Sequence, residues 1–200
     1  NNFEDLFSCP HIFLAVPTPF DLKQNRVDDS AVYSSLERLN NFEYKGVVII
    51  KSTLPPTSTR NYTNDFNLNI VFNPEFLRES VSPEEDFANQ KIVVLGIDSD
   101  RNFEVTKDLF LNVLSADCIY HKCTFEEAEL IKYSQNMTLS SRVAISNLVF
   151  DACKKYNVDY NSLKKVAFDF FPILGPQMTQ VPGPDGKRGF GGKCLPKDLL

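Results

Sequence analysis

The sequence predicts an α/β fold, with a partial doubly wound parallel sheet followed by a long helix and a small helical segment. Two observations predict it. Over the first 123 residues, short apolar runs alternate with helical segments of about ten to fifteen residues, which is typical of parallel strands joined by crossover helices. After that, about 33 residues pass without Gly or Pro, which indicates one uninterrupted helix.

Five short apolar runs are the predicted strands of the sheet. They are nearly continuous rather than alternating, which is typical of strands buried on both faces. The runs are HIFLAV (11–16), VVII (47–50), NIVF (69–72), KIVVLG (91–96) and DCIYH (117–121). Between them the sequence predicts a helix in SAVYSSLERL capped by Asp29 or Ser30, a helix near PPTSTR with prolines in its first turn, and an amphipathic helix in RNFEVTKDLFLNVL.

The predicted long helix begins with Thr124 and Glu127, which have the spacing of a capping box, and ends with Lys154 and Lys155. At 1.5 Å per residue it would be about 50 Å long, more than one face of a sheet needs. We therefore expect it to bridge two domains or to form a dimer core. The predicted ranges are 1–123 and 124–200 for the two domains and about 161–170 for a second helix.

Composition and charge narrow the possible functions. The 21 basic and 26 acidic residues give a net charge of −5 without a block of like charge, so neither nucleic acid nor a membrane is an expected partner. The five cysteines have no paired spacing. Cys118 and Cys123 could be joined only by His11 or His121, which makes a poor zinc site, so we expect no metal. A reduced, cytoplasmic protein is the expected class.

Polar residues follow three of the predicted strands, at the edge where doubly wound sheets bind ligands. They are Thr18 in VPTP, Thr53 in KSTLP, and Glu75 with Glu79 in NPEFLRES. Each has a simpler interpretation. The two threonines could cap turns, and the glutamates, four residues apart, could lie on an exposed helix face.

Three further residues are candidates for chemistry. Lys132 and Asn136 are four residues apart on the long helix and therefore share a face, although a surface lysine has the same pattern. Cys194 stands in GFGGKCLPKD, where glycines allow close approach of the backbone to a ligand and lysines favour the thiolate. An isolated cysteine is otherwise usually buried and inert.

Five motifs, taken together and in order, resemble the UDP-glucose 6-dehydrogenase family of nucleotide-sugar dehydrogenases. The motifs are AVPTP, VVIIKSTLPPTSTR, FNPEFLRES, AELIKYSQN and GPDGKRGFGGKCLPKD. The similarity extends from about residue 10 to residue 200. It implies that residues 1–123 are the second half of an NAD-binding, Rossmann-like domain and residues 124–200 a central dimerisation helix domain that ends in the cysteine loop.

The resemblance also implies roles for the candidate residues. Cys194 would be the nucleophile, Thr53 and Asp198 would position and activate water, and Glu75 would act near the reacting centre. Lys132, assisted by Asn136, would stabilise oxyanions. The implied NAD-binding residues are Thr18, Thr53, Glu79 and Lys197. The implied substrate-binding residues are Glu75, Phe76, Leu77, Arg78, Glu79, Lys132, Asn136, Gly183, Lys187 and Gly191.

The implied reaction is the NAD-dependent oxidation of UDP-glucose at C6 to UDP-glucuronate, by two hydride transfers. The first produces an aldehyde, which has no hydride to give until a nucleophile adds to it. A thiolate at Cys194 would form a thiohemiacetal, a second hydride transfer would leave a thioester, and activated water would hydrolyse it. The expected assembly is a homodimer through the long helix.

The sequence departs from the family pattern. The G-x-G-x-x-G fingerprint and the acidic residue that holds the adenosine ribose are absent from these residues, and Leu148 stands where an acidic residue is expected. We expect an internal fragment of a longer dehydrogenase, inactive by itself, whose HIFLAV strand forms an exposed edge.

Three alternatives remain open on the sequence. The same chemistry could act on GDP-mannose or a UDP-N-acetylhexosamine. The chain could instead be a non-catalytic dimerisation module, or resemble the 3-hydroxyacid dehydrogenases, which need no cysteine.

Overall fold

The computed structural model describes residues 6, 8–77, 82–171, 179–183, 185–190 and 196. The chain divides into two compact units, Asn1–Lys132 and Tyr133–Leu200, and the division falls within one long helix. Each unit is described by itself below. Among the described residues, no helix combines the length and the apolar character that crossing a bilayer requires.

The first unit is built on a sheet that has five strands among the described residues, in the order β1-β4-β5-β6-β7. These strands are β1 (His11–Leu14), β4 (Val47–Ile50), β5 (Asn69–Phe72), β6 (Ile92–Gly96) and β7 (Ile119–Cys123). A separate antiparallel hairpin joins β2 (Phe20–Asp21) to β3 (Arg26–Val27). All five sheet strands fall within or next to the predicted apolar runs, and the hairpin lies outside them.

The sheet is mixed rather than wholly parallel. The pairs β1–β4, β4–β5 and β6–β7 are parallel, whereas β5 and β6 meet at a single antiparallel bridge between Phe72 and Gly96. The carboxyl ends of β1, β4 and β5 therefore share one edge of the sheet, and the last residue of β6 lies opposite the last residue of β5. The predicted α/β class is confirmed, and the reversal at β6 is a feature that the apolar runs do not encode.

The helices confirm the predicted alternation, with two local differences. They are α1 (Ser30–Asn41), α2 (Ser58–Asp65), α3 (Pro83–Ala88), α4 (Asp100–Leu111), α5 (Phe125–Tyr156) and α6 (Tyr160–Lys164), which continues as a π-helix at Lys165–Asp169. The short helix α3 was not predicted. The prolines of PPTSTR precede α2 rather than forming its first turn, because Thr57 is left-handed at φ 77° and interrupts the helical backbone.

Two apolar clusters cover the two faces of the sheet. Alternate residues of β4 point to opposite faces, so that Val48 and Ile50 join one cluster while Val47 and Ile49 join the other. The first cluster packs under α1 and the start of α5, and the second packs under α4. Each fully buried aliphatic side chain contributes roughly 1.5–3 kcal/mol to folding.

Strand β1 is an edge strand among the described residues, as the sequence analysis expected. It is not buried on both faces, because Phe13 is 50% exposed although the next residue, Leu14, is buried. The Phe13 ring contacts Phe110 of α4 edge-on, with ring centroids 6.2 Å apart.

The described part of the second unit has a small core of its own. Cys153, Tyr160 and Val181 are buried together, and Val149, Phe150 and Leu163 pack against them. The Tyr160 hydroxyl donates a hydrogen bond to the Thr179 carbonyl oxygen, which fixes the segment before the glycine-rich loop to α6.

Candidate functional site

The segments that follow β1 and β4 are joined by side-chain hydrogen bonds. The Ser52 hydroxyl accepts a hydrogen bond from the Val16 amide nitrogen at 3.0 Å and donates one to the Val16 carbonyl oxygen at 2.6 Å. The Thr18 hydroxyl, which is buried, donates to the Thr53 carbonyl oxygen at 2.9 Å. Because β1 and β4 are parallel, the two predicted NAD-binding threonines meet at the carboxyl edge of the sheet.

A largely buried lysine connects the segments that follow β4 and β5. Lys51 Nζ lies 3.0 Å from Glu75 Oε2 and donates to Asn73 Oδ1 at 2.8 Å, and the Lys51 side chain is 15% exposed. The Asn73 amide donates in turn to the Val94 carbonyl oxygen at 2.8 Å. Burial lowers the pKa of Lys51, and the neighbouring Glu75 opposes that shift. The pair with Glu75 thus offsets part of the cost of burying the ammonium.

Glu75 is fixed by its own backbone as well as by Lys51. Its Oε1 accepts hydrogen bonds from the Phe76 amide at 2.8 Å and the Leu77 amide at 3.2 Å. Residues 73–77 are not helical, so Glu75 does not lie on the exposed helix face that the sequence also allowed. The Glu75 side chain remains 35% exposed, which leaves its carboxylate accessible to a ligand.

Helix α5 brings Lys132 to the same edge of the sheet. The Lys132 ammonium lies 5.2 Å from the centroid of the Phe76 ring, and Phe76 directly follows Glu75. Such a cation–π contact contributes about 0.5–2 kcal/mol, more when it is desolvated. Lys132 is only 9% exposed, so the alternative of an ordinary surface lysine is wrong.

Buried Glu129 joins α5 to the N-terminus of α2. Its Oε2 accepts from the Thr57 amide at 2.7 Å and its Oε1 from the Thr59 amide at 2.9 Å, and the side chain is fully buried. Glu129 therefore caps the N-terminus of α2 from another helix, satisfying amides that have no partner within α2. Burial raises the pKa of Glu129, although the hydrogen bonds to Thr57 and Thr59 oppose the shift.

We refer to the residues gathered at this edge as the strand-end cluster. Its members are Thr18, Lys51, Thr53, Glu75 and Lys132. Four of them were predicted from the sequence, and the structure brings those four together at one edge. Phe76 and Leu77, also predicted, follow Glu75 and are half-buried. Asn136 is buried one turn beyond Lys132 in α5, and its carbonyl oxygen accepts a hydrogen bond from Ser140 at 2.8 Å.

The predicted residues Gly183 and Lys187 form a tight turn in the second unit. The Gly183 amide donates to the Lys187 carbonyl oxygen at 2.8 Å, and Gly186 adopts φ 74°, which favours glycine. The next residue, Arg188, pairs its guanidinium with the Asp151 carboxylate through two nitrogens. This turn is thereby joined to α5 by a bidentate ion pair.

Six predicted site residues lie outside the described residues. They are Arg78, Glu79, Gly191, Cys194, Lys197 and Asp198. The predicted convergence of the Cys194 thiol, the Lys132 ammonium and the Asp198 carboxylate therefore stays a prediction.

Comparison with known families identifies the chain. Residues 2–114 match the NAD binding domain of the UDP-glucose/GDP-mannose dehydrogenase family, and residues 126–200 match the central domain of the same family. The chain belongs to this family. NAD is the family's cofactor, and the NAD-binding match covers Thr18, Thr53 and Glu75. The hydroxyl and charged groups at the carboxyl edge of three parallel strands fit such a cofactor, because doubly wound sheets bind nucleotides there.

Similar proteins agree with this assignment. UDP-glucose 6-dehydrogenase of Rickettsia bellii (strain RML369-C) is 30% identical over 204 residues, which cover 98% of this chain and 45% of the relative. The structure of a UDP-glucose dehydrogenase from Pyrobaculum islandicum has a TM-score of 0.81 at 26% identity, covering 98% of this chain and 45% of that one. UDP-D-ManNAc dehydrogenase of Pyrococcus horikoshii shares the fold, with a TM-score of 0.82 at 20% identity, covering 99% of this chain and 47% of that one. The chain spans a little under half the length of these relatives.

Sequence reasoning missed three residues that organise the site. Lys51 and Ser52 stand inside KSTLP, and Glu129 stands inside AELIKYSQN, but neither motif was assigned a role for them. Lys51 and Ser52 directly follow a buried strand, at the edge of the sheet where ligands bind. This position was the signal in the sequence that could have identified them as site residues. Glu129 lay three residues before Lys132, on the same side of the helix, and offered the same signal.

Proposed function

We propose that this chain carries part of an NAD-dependent nucleotide-sugar 6-dehydrogenase, which oxidises UDP-glucose to UDP-glucuronate in two hydride transfers. The strand-end cluster is the observation that carries this proposal. An ammonium, a partly exposed carboxylate and a hydroxyl-lined segment meet where the NAD-binding domain of the family ends its strands. UDP-glucose is proposed as the substrate because a relative named UDP-glucose 6-dehydrogenase, from Rickettsia bellii, is 30% identical over 98% of the chain.

The described residues would act by position and charge. Thr18 and Thr53 would help to hold NAD⁺, which when bound would supply the hydride acceptor. Lys132 would hold its ammonium towards the oxygen on which negative charge develops, an effect typically worth about 3 kcal/mol. Glu75, held by Lys51 and two backbone amides, would accept a proton near the reacting centre without changing its own position.

The covalent steps would depend on residues outside the described part of the chain. The Cys194 thiolate would add to the aldehyde carbon, and loss of a second hydride from this thiohemiacetal would leave a thioester on Cys194. Water activated by Asp198 and positioned by Thr53 would cleave the thioester, releasing the carboxylate and restoring the thiol. Asn136 would assist Lys132 at the oxyanion.

Formation of NADH tests the proposal. The assay uses the 200-residue chain and the product of the complete reading frame that contains it, each with UDP-glucose, GDP-mannose or UDP-N-acetylmannosamine. We expect two NADH per UDP-glucose from the complete product and little from the 200-residue chain, because G-x-G-x-x-G is absent from its sequence. If the complete product formed NADH with only one of the other two nucleotide sugars, that sugar would be the substrate instead of UDP-glucose. If it formed no NADH with any of the three, the proposal would be contradicted.

Two variants of the complete product separate the proposed chemistry from folding defects. Lys132→Met should lower kcat about 10²–10³-fold, as the loss of an oxyanion-stabilising group does, whereas the matched control Lys45→Met, at an exposed position, should leave kcat unchanged. Cys194→Ser should abolish the second hydride transfer. If Cys194 reacts with iodoacetamide no faster than the exposed Cys9, the non-catalytic alternative is favoured.

We also propose a homodimer formed through α5. Leu130, Met137, Ile145 and Leu148 are each at least half exposed, with 52%, 50%, 53% and 70% of their surface accessible. Their spacing places them within one sector of the helix, which makes an unpartnered apolar stripe. Met137→Asp with Leu148→Asp should shift the sedimentation coefficient from dimer to monomer. The exposed control Leu22→Asp should not, and an unchanged dimer in the double variant would contradict the proposal.

A further inference from the structure

Three side chains that commonly bind metals meet at the junction of β7 and α5. His121 and Cys123 lie on β7, and Glu127 lies in the first turn of α5. One ligand atom from each residue lies within 4.8 Å of the others, and His121 Nε2 is 3.4 Å from Glu127 Oε1. No metal was expected from the sequence, because Cys118 and Cys123 could be joined only by His11 or His121, whereas the fold brings His121 and Cys123 close to Glu127.

The backbone around this group is fixed independently of any ligand. His121 and Cys123 are two residues apart on a strand, so their side chains point to the same face. Parallel pairing with β6 places them opposite Val94 and Gly96. The Glu127 amide donates to the Thr124 hydroxyl at 3.1 Å, which sets the start of the helix. The three side chains thus converge through sheet register and helix capping.

The geometry suits a tetrahedral ion. Zinc bonds to sulfur, nitrogen and oxygen are about 2.0–2.3 Å long, so two ligand atoms of a tetrahedral site are about 3.3–3.8 Å apart. The separation of 3.4 Å between the His121 nitrogen and the Glu127 oxygen is within that range. The Cys123 thiol makes a weak contact with the Leu95 carbonyl oxygen at 3.7 Å, and its sulfur lies within 4.8 Å of the other two ligand atoms.

The charges also balance. One thiolate and one carboxylate neutralise a divalent cation, and the imidazole binds without charge. This matters because the positive end of the α5 dipole lies at the same place and would oppose an uncompensated cation. A set of nitrogen, sulfur and oxygen ligands favours zinc over magnesium or calcium, which prefer oxygen ligands.

We propose that His121, Cys123 and Glu127 form a Zn²⁺ site with three protein ligands and water in the fourth position. The site lies at the carboxyl end of β7. Its residues are distinct from those of the strand-end cluster, and β7 runs antiparallel to β1, β4 and β5. Its ion would join β7 to the first turn of α5 and stabilise that junction. The proposal does not depend on the proposed catalytic function.

Cobalt titration of the 200-residue chain tests the site. The protein carries Cys9→Ser and Cys194→Ser, so that the exposed Cys9 thiol and the Cys194 thiol cannot contribute. Co²⁺ should give a thiolate-to-cobalt charge-transfer band and the visible bands of tetrahedral Co²⁺, at one ion per chain, and Zn²⁺ should displace it. Zn²⁺ at 100 times its Kd should also raise the folding equilibrium constant about 100-fold.

Three variants decide the outcome. Cys123→Ser should abolish the charge-transfer band, while the matched control Cys118→Ser, which is buried near the start of the same strand, should keep it. Glu127→Gln, at an exposed position where folding is not at risk, should weaken binding at least about 10-fold. Equal cobalt spectra in Cys123→Ser and the parent, or binding unaffected by Glu127→Gln, would mean adventitious binding and would overturn the proposal.

Discussion

Two glutamates in the first unit are held in similar ways but in different surroundings. Both accept hydrogen bonds from two backbone amides, Glu129 from the N-terminus of α2 and Glu75 from the two residues that follow it. Glu129 is completely buried. The Glu75 side chain is 35% exposed and pairs with Lys51 at 3.0 Å.

The difference separates a structural carboxylate from one that can react. Glu129 has no accessible surface on which a ligand could approach, so its charge serves only to join α5 to α2. Glu75 faces the carboxyl edge of the sheet with one side open to solvent, and Lys51 keeps its position fixed. A rigid support and an accessible functional group are what a binding site requires. The two glutamates should therefore respond differently to substitution.

The largest effect is expected for Glu129→Ala. The substitution leaves two buried amides without acceptors and creates a cavity, so the free energy of unfolding should fall by about 3–4 kcal/mol. Urea denaturation followed by circular dichroism measures it. The control Glu37→Ala, on the exposed face of α1, should change the free energy by less than about 0.5 kcal/mol. A loss below about 1 kcal/mol at Glu129 would contradict the capping role.

A pH titration sharpens the same contrast. Burial raises the pKa of Glu129 above its ordinary value of 4.5, so the folded chain binds this proton more tightly than the unfolded chain. Its contribution to stability should therefore increase as pH falls from the raised pKa towards 4.5, and stay level above that range. The stability difference between the parent and Glu129→Gln should grow over the same interval. A difference independent of pH would contradict the assigned direction.

Lys51→Met should have the next largest effect. It removes the cation beside Glu75 and the donor to Asn73, but the partly exposed carboxylate can be solvated, so we expect a loss of about 1–2 kcal/mol. Burial lowers the pKa of Lys51, so parent stability should rise with pH up to the ordinary value of 10.5, and this rise should be missing in the variant. Denaturation at several alkaline pH values, with Lys45→Met as control, tests both points. Equal losses in the two variants would mean that the Lys51–Glu75 pair contributes nothing.

The sequence predicted the parts of the fold that depend on local pattern. Continuous apolar runs located the sheet strands, and the absence of Gly and Pro located α5, because both signals lie within one element. Strand direction at β6 was not predictable, since an apolar run reads the same in parallel and antiparallel pairing. The predicted last strand began two residues early, because β7 begins at Ile119 rather than at Asp117.

The site shows the same limit. Thr18, Thr53, Glu75 and Lys132 were predicted because strand ends and family motifs marked them. The partners that hold them were not, because those contacts join distant segments. Lys51 meets Glu75 through the register of β4 on β5, and Glu129 meets Thr57 from 72 residues away. A single sequence contains no local signal for such pairs, so charged residues of this kind resemble surface residues.

The smallest effect is expected for Ser52→Ala, at the junction that holds the two NAD-binding segments together. The Ser52 hydroxyl makes two hydrogen bonds to Val16, and water cannot replace both at a buried position, so the free energy of unfolding should fall by about 1 kcal/mol. Ser34→Ala, which removes one exposed hydroxyl bond in α1, is the matched control and should be close to neutral. If the two substitutions lower the free energy of unfolding equally, the segments after β1 and β4 are held together by the sheet alone. The contrast between structural and functional polar groups would then depend only on Glu129 and Glu75.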